Sequence, residues 1–294
     1  MEPPAVSGRI DAVAGPRRSE ARFSDDPFRA ALRALAVLDP FRLAGALLFI
    51  AVWELASIFV SPIILPGPLS VLRRAATDFW SAPALSYYGV EDPSLAGNLA
   101  YTAENVAIAA LIGAAIGVTL GLLSARVWFV RAAMDPVMMT AGTVPILIAA
   151  PFLLIWFGVG RASAVSLVAF YIVVILYVSA QRAALNLDPI YENSALTLGA
   201  HRGRMLRDIL IPGTIPEILG GFRIALAGSW GLEAVSELLG SQSGIGKVLE
   251  VLAGATDPQG ILATLLVLGL AAILTDGLAA TVIARFAAWR FAGS

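Results

Sequence analysis

The sequence predicts an all-α, polytopic membrane bundle of about six transmembrane helices, on three observations. Apolar types make up 58% of the 294 residues and charged types 14%, where soluble domains carry about 45–50% and about 25%. A water-soluble domain of this length would need far more polar surface. Six apolar stretches approach the roughly 20 residues that cross about 30 Å of hydrocarbon. The alternating segments of about ten residues that build membrane β-barrels do not occur. Composition also narrows the chemistry. With no cysteine and a single histidine, disulfides, thiol nucleophiles, thiolate metal sites and multi-histidine centres are excluded, and neither a cofactor nor a metal is expected.

The six stretches run over residues 43–61, 99–123, 137–157, 164–181, 217–239 and 261–284, and the third and fourth contain no Asp, Glu, Lys or Arg. Orientation follows from the basic residues, which concentrate on the cytoplasmic side of membrane proteins. With both termini placed in the cytoplasm, sixteen of the 20 Lys and Arg residues fall on the inner side, Arg223 at the inner end of the fifth span among them, leaving Arg73, Arg74, Arg161 and Lys247 outside. The segment before the first span, residues 1–42, has no apolar run of the kind a signal peptide carries. It reads as a cytoplasmic tail, disordered to about Asp26. Residues 28–38 set Phe28, Leu32, Leu35 and Ala36 on one helical face, fit for the inner leaflet surface. Residues 43–290 form the transmembrane domain and 291–294 a short C-terminal tail.

Between the first two spans, the run from Pro62 to Pro68 is too proline-dense for helix, and residues 69–80 then read as a short helix. Gly113, Gly117 and Gly121 recur every four residues in the second span, a face that lets another helix approach closely, within the chain or from a second subunit. Gly244-Ile245-Gly246-Lys247-Val248 resembles a phosphate loop, but Ser241 and Val248 stand where that motif needs Gly and Ser or Thr. The chain is therefore expected to hold no nucleotide of its own. The lone His201 has no partner set for acid–base or nucleophilic catalysis.

The longest polar segment between spans on the inner side, residues 184–216, is patterned as an elbow of two short helices. Residues 191–199 read as the first, stopped by Gly199. Residues 201–211 read as the second, with Met205, Leu206, Ile209 and Leu210 on one face, Arg202, Arg204 and Arg207 on the other, and Pro212-Gly213 as its stop. One reading is a surface loop held by anionic lipid at about 1 kcal/mol per basic residue. The other is a docking handle for a cytoplasmic partner.

This elbow resembles the EAA loop of ABC-importer permeases. Ala195, Gly199, Ile209 and Pro212 stand at that motif's spacing, while Asn193 occupies its acidic position with Glu192 one place earlier, and Ile211 replaces its leucine. Further matches are Leu65-Pro66-Gly67-Pro68, Val144-Pro145, Ile155-Trp156-Phe157-Gly158, Trp230, Glu237 and Ser243-Gly244-Ile245-Gly246. Over roughly residues 43–290 the order is similar to the nitrate, sulfonate and taurine branch. The resemblance implies a type I importer permease fold in the inner membrane and no enzymatic activity. It also implies two cytoplasmic ATP-binding cassette subunits gripping Glu192, Asn193, Ala195, Gly199, Ile209 and Pro212, a periplasmic or lipid-tethered binding protein, and a second permease chain in a homodimer. Nucleic acid has no place in this scheme.

The fifth span is the least apolar. Leu226, Trp230, Glu233 and Glu237 recur at helical spacing on one face. Ionised groups near the bilayer centre cost about 2.5–3.5 kcal/mol each on insertion scales and usually face a cavity or a partner. Trp230, Glu233 and Glu237 are therefore the expected lining of a translocation pathway, the alternative being carboxylates hydrated at the outer interface. Two acids on that face sit badly with an anionic solute. A second functional reading is an ion-coupled secondary transporter that uses Glu104, Glu233, Glu237 or Asp276. That class is built from inverted repeats, and no convincing halves are visible. A membrane enzyme would need a convergent cluster of catalytic residue types, and none is apparent.

Overall fold

The computed structural model describes residues 40–286, so the expectations for the tail, the amphipathic stretch at 28–38 and the last residues fall outside the described set. The chain divides into residues 1–52 and 53–294. Of the first unit, the described part is the beginning of helix α1 (Pro40–Phe59), which crosses the division.

In the second unit, short helices α2 (Pro68–Trp80) and α3 (Pro83–Tyr87) precede the long helix α4 (Leu95–Arg126). Ser94 caps α4, its Oγ accepting from Gly97 N at 3.0 Å. Helices α5 (Trp128–Thr143) and α6 (Ala150–Phe157) follow, joined by a 3-10 turn at Ile146–Ala149. Helix α7 (Arg161–Leu185) returns, then α8 (Pro189–Thr197), α9 (Arg202–Met205) and α10 (Ile211–Leu238). Helices α11 (Ile245–Gly254) and α12 (Pro258–Phe286) complete the unit.

The span count differs from the sequence expectation. Among the described residues four helices are long and apolar enough to cross a membrane, and five if α5 and α6 count as one. The stretch 137–157 is not straight: its two halves meet at 101°. Pro145 has no N–H to continue the ladder and forces the residue before it out of the α region, and Val144 is accordingly extended (φ −78°, ψ 127°). The first apolar stretch, Leu43–Phe59, is too short to be counted with the crossing helices, because the Ser61-Pro62 run ends it.

The core is a three-helix stack. Val106 and Ala109 of α4, Val168, Ile172 and Leu176 of α7, and Ala225, Leu226 and Trp230 of α10 form one buried cluster. The glycine stripe of α4 is spent inside the chain. A Cβ at Gly113 would stand 2.6 Å from Ile172 Cβ, and one at Gly117 2.8 Å from the Val173 carbonyl oxygen. The α4 and α7 backbones therefore approach more closely than any side chain on that face would allow. A second cluster, with Val71, Leu85, Leu95, Val248 and Leu252, packs α2 and α3 against α11 and α12. At the opposite end of the stack, Asp135 of α5 accepts hydrogen bonds from Tyr177 Oη at 2.5 Å and Gln181 Nε2 at 2.7 Å. Gln181 also donates to Ser124 Oγ of α4 at 2.9 Å, so the Asp135–Gln181–Ser124 network joins three helices.

Candidate functional site

The elbow forms, with one change of plan. Asp188 caps α8 by accepting from Ile190 N at 2.9 Å, and Pro189 takes the first helical position, where its missing N–H is not needed. The helix ends in a left-handed Gly199 at φ +77°, and Ala200 N bonds back to the Ala195 carbonyl at 2.9 Å. This is a Schellman stop, and it requires a residue without a Cβ penalty. His201 Nδ1 then accepts from Arg204 N at 3.2 Å and starts α9.

The expected stop at Pro212-Gly213 is absent. Residues Leu206–Leu210 widen into a π-helical turn, and α10 begins at once, so Gly203–Leu238 is one continuous helix. A π turn relaxes the i→i−4 ladder just where Pro212 lacks an N–H and its ring crowds the carbonyl four residues back. Thr214 Oγ1 takes up the Leu210 carbonyl at 2.9 Å. The second arm of the elbow and the membrane helix that follows it are thus a single rod.

The residues expected to couple to a partner are divided between the two arms of the elbow. Ala195 is buried, Ile209 and Pro212 are half-buried, and Asn193 and Gly199 are exposed. The backbone of Glu192 lies within α8, and its side chain is outside the described set. Ile190, Tyr191, Leu196 and Leu198 leave apolar surface uncovered, Leu198 to 87%. A cleft of about 200 Å³ between the two arms is lined by Ala195, Leu198, Ala200, Arg204, Asp208 and Ile209.

The face expected to line a pathway is buried. Leu226, Trp230, Glu233 and Glu237 are all buried in the chain's own interior, the two carboxylates at 0% exposure. In this conformation they line no open route. Glu237 Oε2 accepts from Gly246 N at 2.9 Å, and its carboxylate accepts from Thr102 Oγ1 at 2.9 Å. Thr102 Oγ1 accepts from Ile245 N at 2.9 Å, and Asn98 Oδ1 from Gly244 N at 3.0 Å. The glycine segment that resembles a phosphate loop is therefore an anion-type helix N-terminus whose anion is the protein's own Glu237. Gly244, at φ +101°, has no space for a side chain beside that carboxylate, nor has Gly246 beside the Ala234 carbonyl oxygen. One turn away, Glu233, Trp230 Nε1 and the Asn105 amide are buried without a hydrogen-bond partner among the described residues. Asn98, Thr102 and Asn105 were not singled out from the sequence; their spacing of three to four residues on α4 was the available signal.

Glu104 and Asp276, the other two acids weighed for ion coupling, are each tied to an arginine. Arg161 Nη2 bonds Glu104 Oε2 at 2.8 Å, and its guanidinium stands 4.6 Å from the Tyr101 ring centre. Arg223 of α10 donates from Nε to Asp276 Oδ1 at 2.8 Å and from Nη2 to Oδ2 at 2.6 Å, a two-pronged bridge to α12. The exposed strip of α10 carries Gly220, Ile224, Ala227, Gly231 and Val235. No group of three or more His, Cys, Asp or Glu side chains arranged to hold a metal occurs among the described residues.

A bent elbow that runs into a long apolar helix, among further helices apolar enough to cross a membrane, is the arrangement of a membrane transport protein. Residues 117–288 match the model of the binding-protein-dependent transport system inner membrane components, and the chain belongs to that family. It is an ABC-importer permease, a multi-pass inner membrane transport subunit. Among its relatives, the taurine transport system permease protein TauC of Escherichia coli (strain K12) is 28% identical over 79% of this chain and 82% of its own length. The nitrate import permease protein NrtB of Synechococcus elongatus (strain ATCC 33912 / PCC 7942 / FACHB-805) is 26% identical over 68% and 71%. The expected branch is thus borne out. The fold matches a chain of the inward-facing MetNI methionine ABC transporter with a TM-score of 0.56 at 16% identity, over 63% of this chain and 92% of that one.

Proposed function

We propose that this chain is the permease of an importer driven by separate ATP-hydrolysing subunits that grip the elbow from the cytoplasm, and that it carries a small nitrate-, sulfonate- or taurine-like solute inward. The observation that carries this reading is the continuity of the elbow with the membrane: α9, the π turn and α10 form one helix. A push on the apolar surface of Ile190, Tyr191 and Leu198 on α8 passes across the Gly199 turn to the second arm, which runs unbroken into the bilayer. Two such permeases form a homodimer around the pathway, with the N-terminus and the elbow on the cytoplasmic side, as the basic residues ask. A binding protein delivers the solute from the other side. ATP binding closes the paired ATPases and rocks the helix bundles between two discrete packings.

Glu192, Asn193, Ala195, Gly199, Ile209 and Pro212 are the coupling residues in this scheme. Trp230, Glu233 and Glu237 stand one layer behind the exposed strip of α10, which faces the pathway. The solute class rests on the relatives' names, taurine and nitrate.

Affinity purification of the tagged chain from its native membrane tests the assignment. An ATPase subunit is expected to co-purify, and Leu198→Asp, which places a charge on the apolar grip, is expected to reduce its recovery at least about tenfold while leaving the chain's level in the membrane unchanged. A chain that purifies without an ATPase contradicts the reading.

A further inference from the structure

The Arg223–Asp276 bridge lies within two helices apolar enough to cross a membrane, towards the inner end of each in the orientation set by the basic residues. Its two side chains are nonetheless 41% and 39% exposed. Charged groups at membrane depth are costly and face a water-filled cavity, one another or protein. A lipid-facing position would leave this pair half in hydrocarbon. Its surroundings keep it open: Cβ atoms at Gly220, one turn before Arg223, and at Gly277, next to Asp276, would meet nothing within 4 Å.

The geometry of the bridge leaves a usable edge. A guanidinium has five N–H donors in a plane, and Asp276 takes one from Nε and one from Nη2. Three remain, including both on Nη1. Asp276 fixes the plane of the fork and holds the side chain in one orientation, so the outward donors are set in place before anything binds. Planar, pre-set N–H donors match oxyanions bearing two or three equivalent oxygens.

We propose that Arg223, held by Asp276, is an oxyanion-binding contact on the aqueous route through this chain, selecting solutes with a sulfonate, nitrate or carboxylate group. The proposal rests on the importer reading and deepens it. It also eases the difficulty posed by the acids of α10. Glu233 and Glu237 are sealed in the interior, and the exposed Glu217 stands six residues before Arg223, so the guanidinium is the positive charge an anion meets on that helix.

The absence of cysteine makes a direct test available. A single thiol is placed by Gly277→Cys, and separately by Gly220→Cys, in the full-length chain with its co-purifying subunits in lipid nanodiscs. Labelling by water-soluble methanethiosulfonate reagents is followed with and without methanesulfonate, with methylammonium at equal ionic strength as the cation control. Both thiols are expected to react, and millimolar methanesulfonate is expected to slow them about threefold or more, with methylammonium ineffective. Arg223→Gln removes the protection. The double variant Arg223→Gln/Asp276→Asn, which leaves no unpaired charge, does the same if the single variant folds poorly. Thiols that never react, protection that survives loss of Arg223, or equal protection by methylammonium would each overturn the proposal. Labelling needs no transport, so charge-selective protection in a chain that recovers no ATPase sinks the importer reading and leaves this contact standing. Recovery of the ATPase without protection does the reverse.

Discussion

The first turn of α11 presents the backbone N–H groups of Gly244, Ile245 and Gly246 to three acceptors supplied by Asn98, Thr102 and Glu237. Free N–H groups at a helix start and a carboxylate in a membrane interior each carry a large desolvation cost, and here each cancels the other's. Glu237→Gln retains an oxygen acceptor for Gly246 N and is expected to cost about 1 kcal/mol of stability. Glu237→Ala leaves Gly246 N unpaired in the interior, while the Thr102 hydroxyl keeps the Asn98 carbonyl, and is expected to cost about 2–3 kcal/mol. Thermal unfolding of the purified chain in detergent checks the order, and equal midpoints for the two variants and the parent contradict it. Sequence reasoning placed Glu237 on the right helix but on a pathway face. Helical periodicity says which residues share a face and nothing about which neighbour that face meets. The neighbour was set by α4 and the Gly246 amide, which are distant in sequence.

Helices α4 and α10 both carry small residues at helical spacing, with opposite consequences. In α4 the space beside Gly117 is filled by the α7 backbone, whereas a Cβ at Gly220 in α10 meets nothing within 4 Å. Gly117→Leu is expected to abolish a monodisperse folded chain, since overpacking a backbone contact costs about 1–3 kcal/mol or more. Gly220→Ala is expected to leave folded yield unchanged. Size-exclusion profiles of the two variants test this, and a well-folded Gly117→Leu chain would refute the packing. The glycine stripe was legible in the sequence, as were the starts and ends of most helices, because proline, glycine and capping residues act locally. Two element-level expectations failed at prolines. Val144-Pro145 breaks a span drawn straight, and Pro212 does not break the elbow. One proline sits where the preceding residue has turned extended. The other follows a π turn that has already opened the ladder, and that choice is not local.

At the scale of the molecule, membrane class, helical content and the elbow followed from composition and a spaced motif, since each depends on many residues at once. The route of the solute did not, because it depends on which exposed strips face water or another chain. In the proposed scheme the elbow and the continuous helix are a lever worked by a separate motor, and Glu237 occupies the phosphate-like loop. The decisive measurement is uptake of labelled taurine or nitrate by proteoliposomes, made with the purified chain alone and with its co-purifying ATPase and binding protein, each with and without ATP. The account predicts accumulation in the complete, ATP-supplied vesicles and none above leak in vesicles holding the chain alone, under any imposed ion gradient. Solute accumulation by the chain alone would contradict it.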